Sequence, residues 1–283
     1  MKTMAQNIKP LFLALAALNL SCQAWTVAPI NGGIAQVTLP DSDSRPQASY
    51  LGHPVLIEGQ SPHWQAIVGI PLDRPAGTEY LEVSSPQAAR LAFTISHKDY
   101  PEQHITLRNL HMVNPSAAEL QRIHQELSEE RQDFAIFDGR TPALADMHLP
   151  VQPTALDSAF GLRRFFNGEE RAPHSGLDLQ AQEGQAVYAP LGGRVLLSRD
   201  LYFNGGTVII DHGQGLISMY CHLSRIEVAA GQNLAAGAEL GRVGHTGRAT
   251  GPHLHWSVSL NDVRIDPSLL LDAGQRQQLT GHH

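Results

Sequence analysis

The stretch that decides the fold reads Val243-Gly244-His245-Thr246-Gly247-Arg248-Ala249-Thr250-Gly251-Pro252-His253-Leu254-His255-Trp256-Ser257-Val258-Ser259-Leu260. Its second half alternates, with His253, His255, Ser257 and Ser259 on one side and Leu254, Trp256, Val258 and Leu260 on the other. A period of two is the mark of a β-strand. It predicts a half-buried strand with both imidazoles on the polar face above a full apolar row. Two histidines one residue apart on a strand point into the same small volume. That suits two metal ligands, or one ligand beside one acid/base group.

Two further strings work outward from this one. They are Pro173-His174-Ser175-Gly176-Leu177-Asp178-Leu179 and Met219-Tyr220-Cys221-His222-Leu223-Ser224. His174 and Asp178 are four apart, so an extended chain puts them on one face, with Gly176 interrupting the path. Over residues 216–224, alternation groups Ser218, Tyr220 and His222 against Ile217, Met219 and Cys221. An aspartate and two histidines around one ion leave a fourth position open, which is the layout of a catalytic zinc rather than a structural one. His-x-His alone is a weak signal and His-x3-Asp a weaker one; the weight lies in four histidines and one aspartate gathered in a single β-rich region. The zinc-protease string His-Glu-x-x-His is absent from the sequence.

Composition bounds the rest. The chain has 283 residues, 42% apolar and 17% charged, which is globular composition and long enough for two domains. Twenty Lys and Arg against 27 Asp and Glu give a net charge of -7, which argues against a nucleic-acid partner. Fifteen His with two Cys exclude a disulfide scaffold and a cysteine zinc finger, and leave histidine-based metal sites open. Lys2 and Lys9 precede the apolar run Pro10–Leu18, which is too short to span a bilayer and the right length for a signal-peptide core. Cleavage after Ala24 predicts a soluble, exported, periplasmic protein with no transmembrane segment. Lipoprotein processing at Cys22 is the rival, and Asn19 spoils its box. Residues 25–115 hold short alternating runs broken by Gly and Pro, which predict a small β domain. Ser116-Ala117-Ala118-Glu119 has capping-box spacing, opening a linker of helix and loop over 116–148. In that helix Leu120, Ile123, Leu127 and Phe134 form the expected packing stripe. Glu126, Glu129, Glu130 and Asp133 form the expected solvated faces. A second β-rich domain runs over 149–272, with 273–283 as a tail. His212 and His245 read as ordinary residues, and Cys221 as a small core residue.

This second region resembles the lysostaphin-type, or LytM-like, zinc metallopeptidases that cut peptidoglycan cross-links. The resemblance is carried by residues 160–163, His174 to Asp178, 184–195, 208–213, Tyr220-x-His222-Leu223-Ser224 and, most specifically, residues 243–255. Gly32-Gly33-Ile34-Ala35, residues 67–71 and 100–107 are similar to the β-rich N-terminal domain that some exported members carry. The resemblance implies a mainly β, antiparallel peptidase domain of the duplicated hybrid motif type, with a groove over one zinc. It makes His174, Asp178 and His255 the zinc ligands. It makes His222 and His253 the pair beside the reacting water, one handling the water and the other the leaving amine, in either order. The implied partner is the peptide cross-link of peptidoglycan, cut as a D,D-endopeptidase. The alternative is a non-catalytic LytM-like activator or binder of wall hydrolases. A further expectation is that the N-terminal domain and its helix cover the groove.

Overall fold

The computed structural model describes residues 28–107 and 109–280. The expected signal peptide, with Cys22, and His282-His283 lie outside the described residues.

The chain is mostly β, as its alternation predicts. A sheet of eight strands, all antiparallel, dominates the second half. Its order is Asn233–Leu234, Gly193–Leu201, Gly205–Gly213, Leu216–Leu223, His253–Leu260, Leu177–Gln180 and Ala155–Ser158, with Val263–Ile265 also on His253–Leu260. The decisive strand is thus central. In its register Asp178 faces His255 on one neighbour, and Cys221 faces His255 on the other. Residues directly opposite across a sheet share a face, so pairing alone places Asp178, His255 and Cys221 on one side.

That strand is buried on both faces, not half-buried. Leu254, Trp256, Val258 and Leu260 enter the large core with Tyr220, Leu177 and Val208. On its other face His255 meets His174 and Ser257 meets Ser175; on the neighbouring strands α1 (Ala117–Phe134) packs Phe134 into a second cluster with Leu197, Ile209, Ile217, Met219 and Cys221. Cys221 is a buried free thiol there, as expected of a core cysteine.

The N-cap of α1 is Ser116 and its capping box with Glu119 is formed, as the spacing predicts. The buried face differs from the expected stripe. Ile123, Glu126, Glu130 and Phe134 are buried, while Leu120 and Leu127 are each 41% exposed. The two glutamates go inward because distant groups satisfy them. Glu126 accepts from the Tyr202 backbone N–H at 2.8 Å and from Arg122 Nε at 2.6 Å, and Glu130 accepts from Asn204 Nδ2 at 3.0 Å. Buried carboxylates need such partners. The expected solvated face is therefore half of the packing face.

The N-terminal half forms a three-stranded sheet (Ile34–Thr38, His63–Gly69, Leu56–Gln60) and a four-stranded one (His53–Pro54, Gln47–Tyr50, Gly77–Ser85, Ala89–Ile95) around a core of its own. It is clamped to the large sheet by two turn residues in the left-handed region, Gln214 (φ 47°) and Asn261 (φ 42°). The Gln214 amide accepts from Ile57 N and donates to Ile57 O, and the Asn261 amide does the same with Gly69. Ile34, Leu56 and Ile67 also belong to the large core. Strand Glu102–Ile105 pairs in parallel with Arg163–Phe166. Residues 273–280 of the expected tail form a short helix, with Leu279 buried.

Candidate metal centre

His174, Asp178 and His255 converge. His174 Nε2 lies 3.0 Å from Asp178 Oδ1 and 3.0 Å from His255 Nδ1, and His255 Nδ1 lies 2.7 Å from Asp178 Oδ1. All three residues are buried. Their outward atoms are fixed by the surrounding chain. His174 Nδ1 faces the Ala159 carbonyl at 2.7 Å, so the proton belongs on Nδ1 and Nε2 carries a lone pair. The Ser257 hydroxyl donates to Ser175 O at 2.7 Å and faces His255 Nε2 at 3.0 Å, so Nε2 carries the proton and Nδ1 the lone pair. The second carboxylate oxygen of Asp178 accepts from Arg164 Nη2 at 2.6 Å.

The cluster therefore presents two imidazole lone pairs and a carboxylate oxygen to one another with no proton among them. Burial first, against the pull of Asp178, brings the pKa of His255 down to about 4, which keeps it neutral at pH 7. Burial pushes the Asp178 carboxyl up, but its contact with the His174 and His255 rings holds it well below the usual range. Three acceptors in contact repel unless a cation lies among them. Two imidazoles and one carboxylate, each with its outer atom engaged, are the donor set of an open zinc site. The residues fit the metal.

His222 and His253 stand beside this cluster. Their ring centroids are 4.8 Å apart, and His222 lies 6.1 Å from the ring of His255. His222 Nδ1 donates to Thr246 O at 2.8 Å, and His253 Nδ1 donates to Gly251 O at 2.8 Å. Each ring thus offers Nε2 as an acceptor, and His253 Nε2 lies 3.9 Å from Asp178 Oδ1. Burial, then His253 and His255, bring the pKa of His222 down to about 3.

His222 reaches this place against the expected alternation. Continued pleating would send it with Tyr220 into the large core. Instead His222 has φ 64°, in the left-handed region, where the register with Gly205–Gly213 also shifts. The strand switches face there, leaving Ser218 and Tyr220 behind in a buried chain with His212. The loop before His253 holds the switched ring. Thr246 Oγ1 accepts from Gly206 N and donates to Leu223 O, both at 2.9 Å, while Thr246 O receives His222. Gly247 (φ 70°) has no room for a side chain, since a Cβ there would lie 2.4 Å from Gly205 N. At the other end of the site a Cβ on Gly176 would lie 2.4 Å from Trp256 O, which explains the glycine between the two ligand candidates.

Residues singled out by no motif complete the site. Arg164 donates to Asp178, to Ser158 Oγ at 3.2 Å and to Gln103 Oε1 at 3.1 Å, and Ser158 Oγ lies 3.1 Å from His174 Nδ1. Gln103 belongs to the N-terminal half, which therefore reaches the hydrogen-bond network of the site. The adjacent arginines Arg163 and Arg164 on a short strand must face opposite ways, so one of them had to turn inward; that was the available signal. Of the ordinary histidines, His245 is exposed beside Glu183 and His212 is buried. A 250 Å³ cleft lined by His174, His222, His255 and residues of α1 meets a 660 Å³ cleft lined by Tyr100, Phe160 and Arg163, and both touch His174 and Ser175. Among the described residues no helix is long and apolar enough to cross a membrane.

Comparison with known proteins agrees with this geometry. The sequence model of Peptidase family M23 matches residues 172–267, and that of the Peptidase family M23 N-terminal domain matches residues 27–98. The chain is 39% identical over 104 residues to the peptidoglycan DD-endopeptidase ShyA of Vibrio cholerae, covering 36% of this chain and 24% of that protein. It is 35% identical over 146 residues to the peptidoglycan DD-endopeptidase ShyC of the same organism, covering 51% of this chain and 33% of that protein. The matches thus span a third or less of the length of these relatives. A crystal structure from Pseudomonas aeruginosa assigned to peptidase M23 superposes with a TM-score of 0.74 at 39% identity, over 87% of this chain and 96% of that one. The chain belongs to peptidase family M23.

Proposed function

We propose that the chain is an exported, zinc-dependent metalloendopeptidase that hydrolyses peptide cross-links of peptidoglycan, as a D,D-endopeptidase. His174, Asp178 and His255 hold the zinc, and His222 and His253 handle the protons. The observation that carries this reading is the meeting of three proton-free acceptors with two further imidazoles turned towards them. The similarity to two peptidoglycan DD-endopeptidases supports the substrate class.

Bound at this site, zinc supplies Lewis acidity towards a water molecule and the scissile carbonyl. The chain's own residues do the rest. Arg164 holds Asp178 by its second oxygen, and Ala159 O and the Ser257 hydroxyl hold the rings of His174 and His255 in their tautomers. Of His222 and His253, one receives the proton of the attacking water at Nε2, and the other delivers a proton to the leaving amine after being protonated at its own Nε2, so that one proton is taken and one given per turnover. Low water access, set by α1 and the 244–250 loop, strengthens each of these contacts.

The test is mass spectrometry of the muropeptides released by purified chain lacking residues 1–24. Cleavage of cross-links that chelator stops, and that His174→Ala and His255→Ala abolish, is the expected result. Unchanged cleavage in both variants sinks the assignment. The non-catalytic binder gains no support, because all five side chains are present and brought together.

A further inference from the structure

Arg248 sits in the string quoted first, five residues before His253, and lines the 250 Å³ cleft with His174, His222 and His255. Its guanidinium lies against two aromatic rings, with Cζ 4.2 Å from the centroid of Phe203 and 4.6 Å from that of Phe166. Its backbone N–H donates to Phe203 O at 2.8 Å, which pins the loop to the turn that carries one of those rings.

Two neighbouring arginines, Arg164 and Arg171, have protein acceptors. Arg164 is on Asp178, and Arg171 is on Glu169 and Val113 O. Among the described residues no side chain or carbonyl accepts a hydrogen bond from the Arg248 guanidinium. Burial, then Arg164 and Arg171, press its pKa down to about 10, and it still carries full charge at neutral pH. The acids of the same cleft are occupied elsewhere, Glu126 by Arg122 and Tyr202 N, and Glu130 by Asn204.

The N–H groups of a guanidinium lie in its plane, so one packed against rings donates from its edge. That edge is planar and presents paired N–H groups, the match for a carboxylate. Leaving it unpaired in a shielded cleft beside two like charges is costly, and an anion there relieves both penalties. We propose that Arg248 determines specificity by binding, edge-on, a free carboxylate of the substrate peptide close to the bond that is cut. The cleft is small, so that carboxylate belongs to the residue at the scissile bond or to one beside it. The inference rests on the reading of this site as a peptidase centre, and it selects acidic cross-linked peptides over their amidated counterparts.

The experiment compares two synthetic cross-linked peptides that differ only in a carboxylate or carboxamide at the residue whose amine is released. Binding is measured by calorimetry with zinc-loaded His222→Ala full chain, to prevent turnover, with and without Arg248→Ala or Arg248→Lys. Cleavage is measured with the otherwise unaltered enzyme. The acid is expected to bind at least tenfold more tightly than the amide and to be cleaved with a correspondingly lower KM. Arg248→Ala should erase the preference, and Arg248→Lys should keep only part of it, since the charge survives but the paired edge does not. Equal binding of acid and amide to the Arg248 protein overturns the proposal, as does a preference that survives Arg248→Ala. Because the acid/amide comparison is made first on the protein that retains Arg248, a poorly folded variant cannot decide it. Cleavage of neither peptide counts against the peptidase reading, while the binding preference still decides the role of Arg248.

Discussion

Arg164 is the residue on which the geometry of the site leans most heavily, and its removal has a calculable consequence. Its side chain is 16% exposed and that of Asp178 is 8% exposed, so the pair is shielded from water. A charge-assisted hydrogen bond contributes about 1.5–3 kcal/mol, and stripping one partner from a buried ion pair costs about 3–5 kcal/mol. The charge-assisted bond itself is worth no more than about 3 kcal/mol, which favours the lower end. Arg164→Met should therefore destabilise the metal-free chain by about 3 kcal/mol, a fall in melting temperature of about 6–12 °C. The assay is calorimetry in chelator on the parent, Arg164→Met, Asp178→Asn and the double variant. With neither charge left, Arg164→Met/Asp178→Asn should recover most of the loss, giving a coupling energy of about 2 kcal/mol. A single variant that melts like the parent, or a double variant with no recovery, would refute the argument that this pair is buried and mutually dependent.

Two other perturbations test the supporting structure. Burial brings the pKa of His212 from 6.5 down to about 4. Between those values the unfolded chain holds a proton that the folded chain does not, so stability falls as pH falls; from pH 7 to 4.5 this histidine alone should cost about 2–3 kcal/mol. Urea titrations at both pH values should show the parent losing about 2–3 kcal/mol more than His212→Gln, since His222 and His255 add the same losses to both proteins; parallel losses would contradict it. Gly247→Ala puts a Cβ 2.4 Å from Gly205 N at φ 70°, so the loop must shift and Thr246 O must release His222. The expected effect is a fall in kcat of about tenfold or more with stability reduced by about 1–2 kcal/mol, and a variant with unchanged kcat would show that this loop does not hold His222.

The β character could be read before any coordinates because it depends on short-range pattern; alternation also marked His253 with His255 and His174 with Asp178, while the full set of five side chains was what the family resemblance implied. Alternation at 253–260 is local, and the register with Asp178 follows once the strand is central. What escaped notice depends on partners far away in the chain. His222 changes face through a single left-handed residue, and period-two reasoning has no means to anticipate such a break. In α1, hydropathy favours burying Leu120 and Leu127, yet Glu126 and Glu130 go inward because the Tyr202 N–H and the Asn204 amide await them. The same holds for the burial of the central strand on both faces, since His255 and Ser257 are met by His174 and Ser175, 81 and 82 residues upstream. Gln103 and Arg164 carry no motif, and their role is visible only when Glu102–Ile105 is laid beside Arg163–Phe166. Gln214 and Asn261 likewise bind the two halves through amides that no pattern marks, so removal of the N-terminal half would strip the large core as well as any cover over the groove.

His174, Asp178 and His255 are proposed to hold one metal ion. Elemental analysis of chain purified without added chelator tests it most directly, with His255→Ala and Asp178→Asn purified alongside. The account predicts about one zinc per chain in the parent and close to none in either variant. A parent free of zinc, or variants that retain as much zinc as the parent, would contradict it.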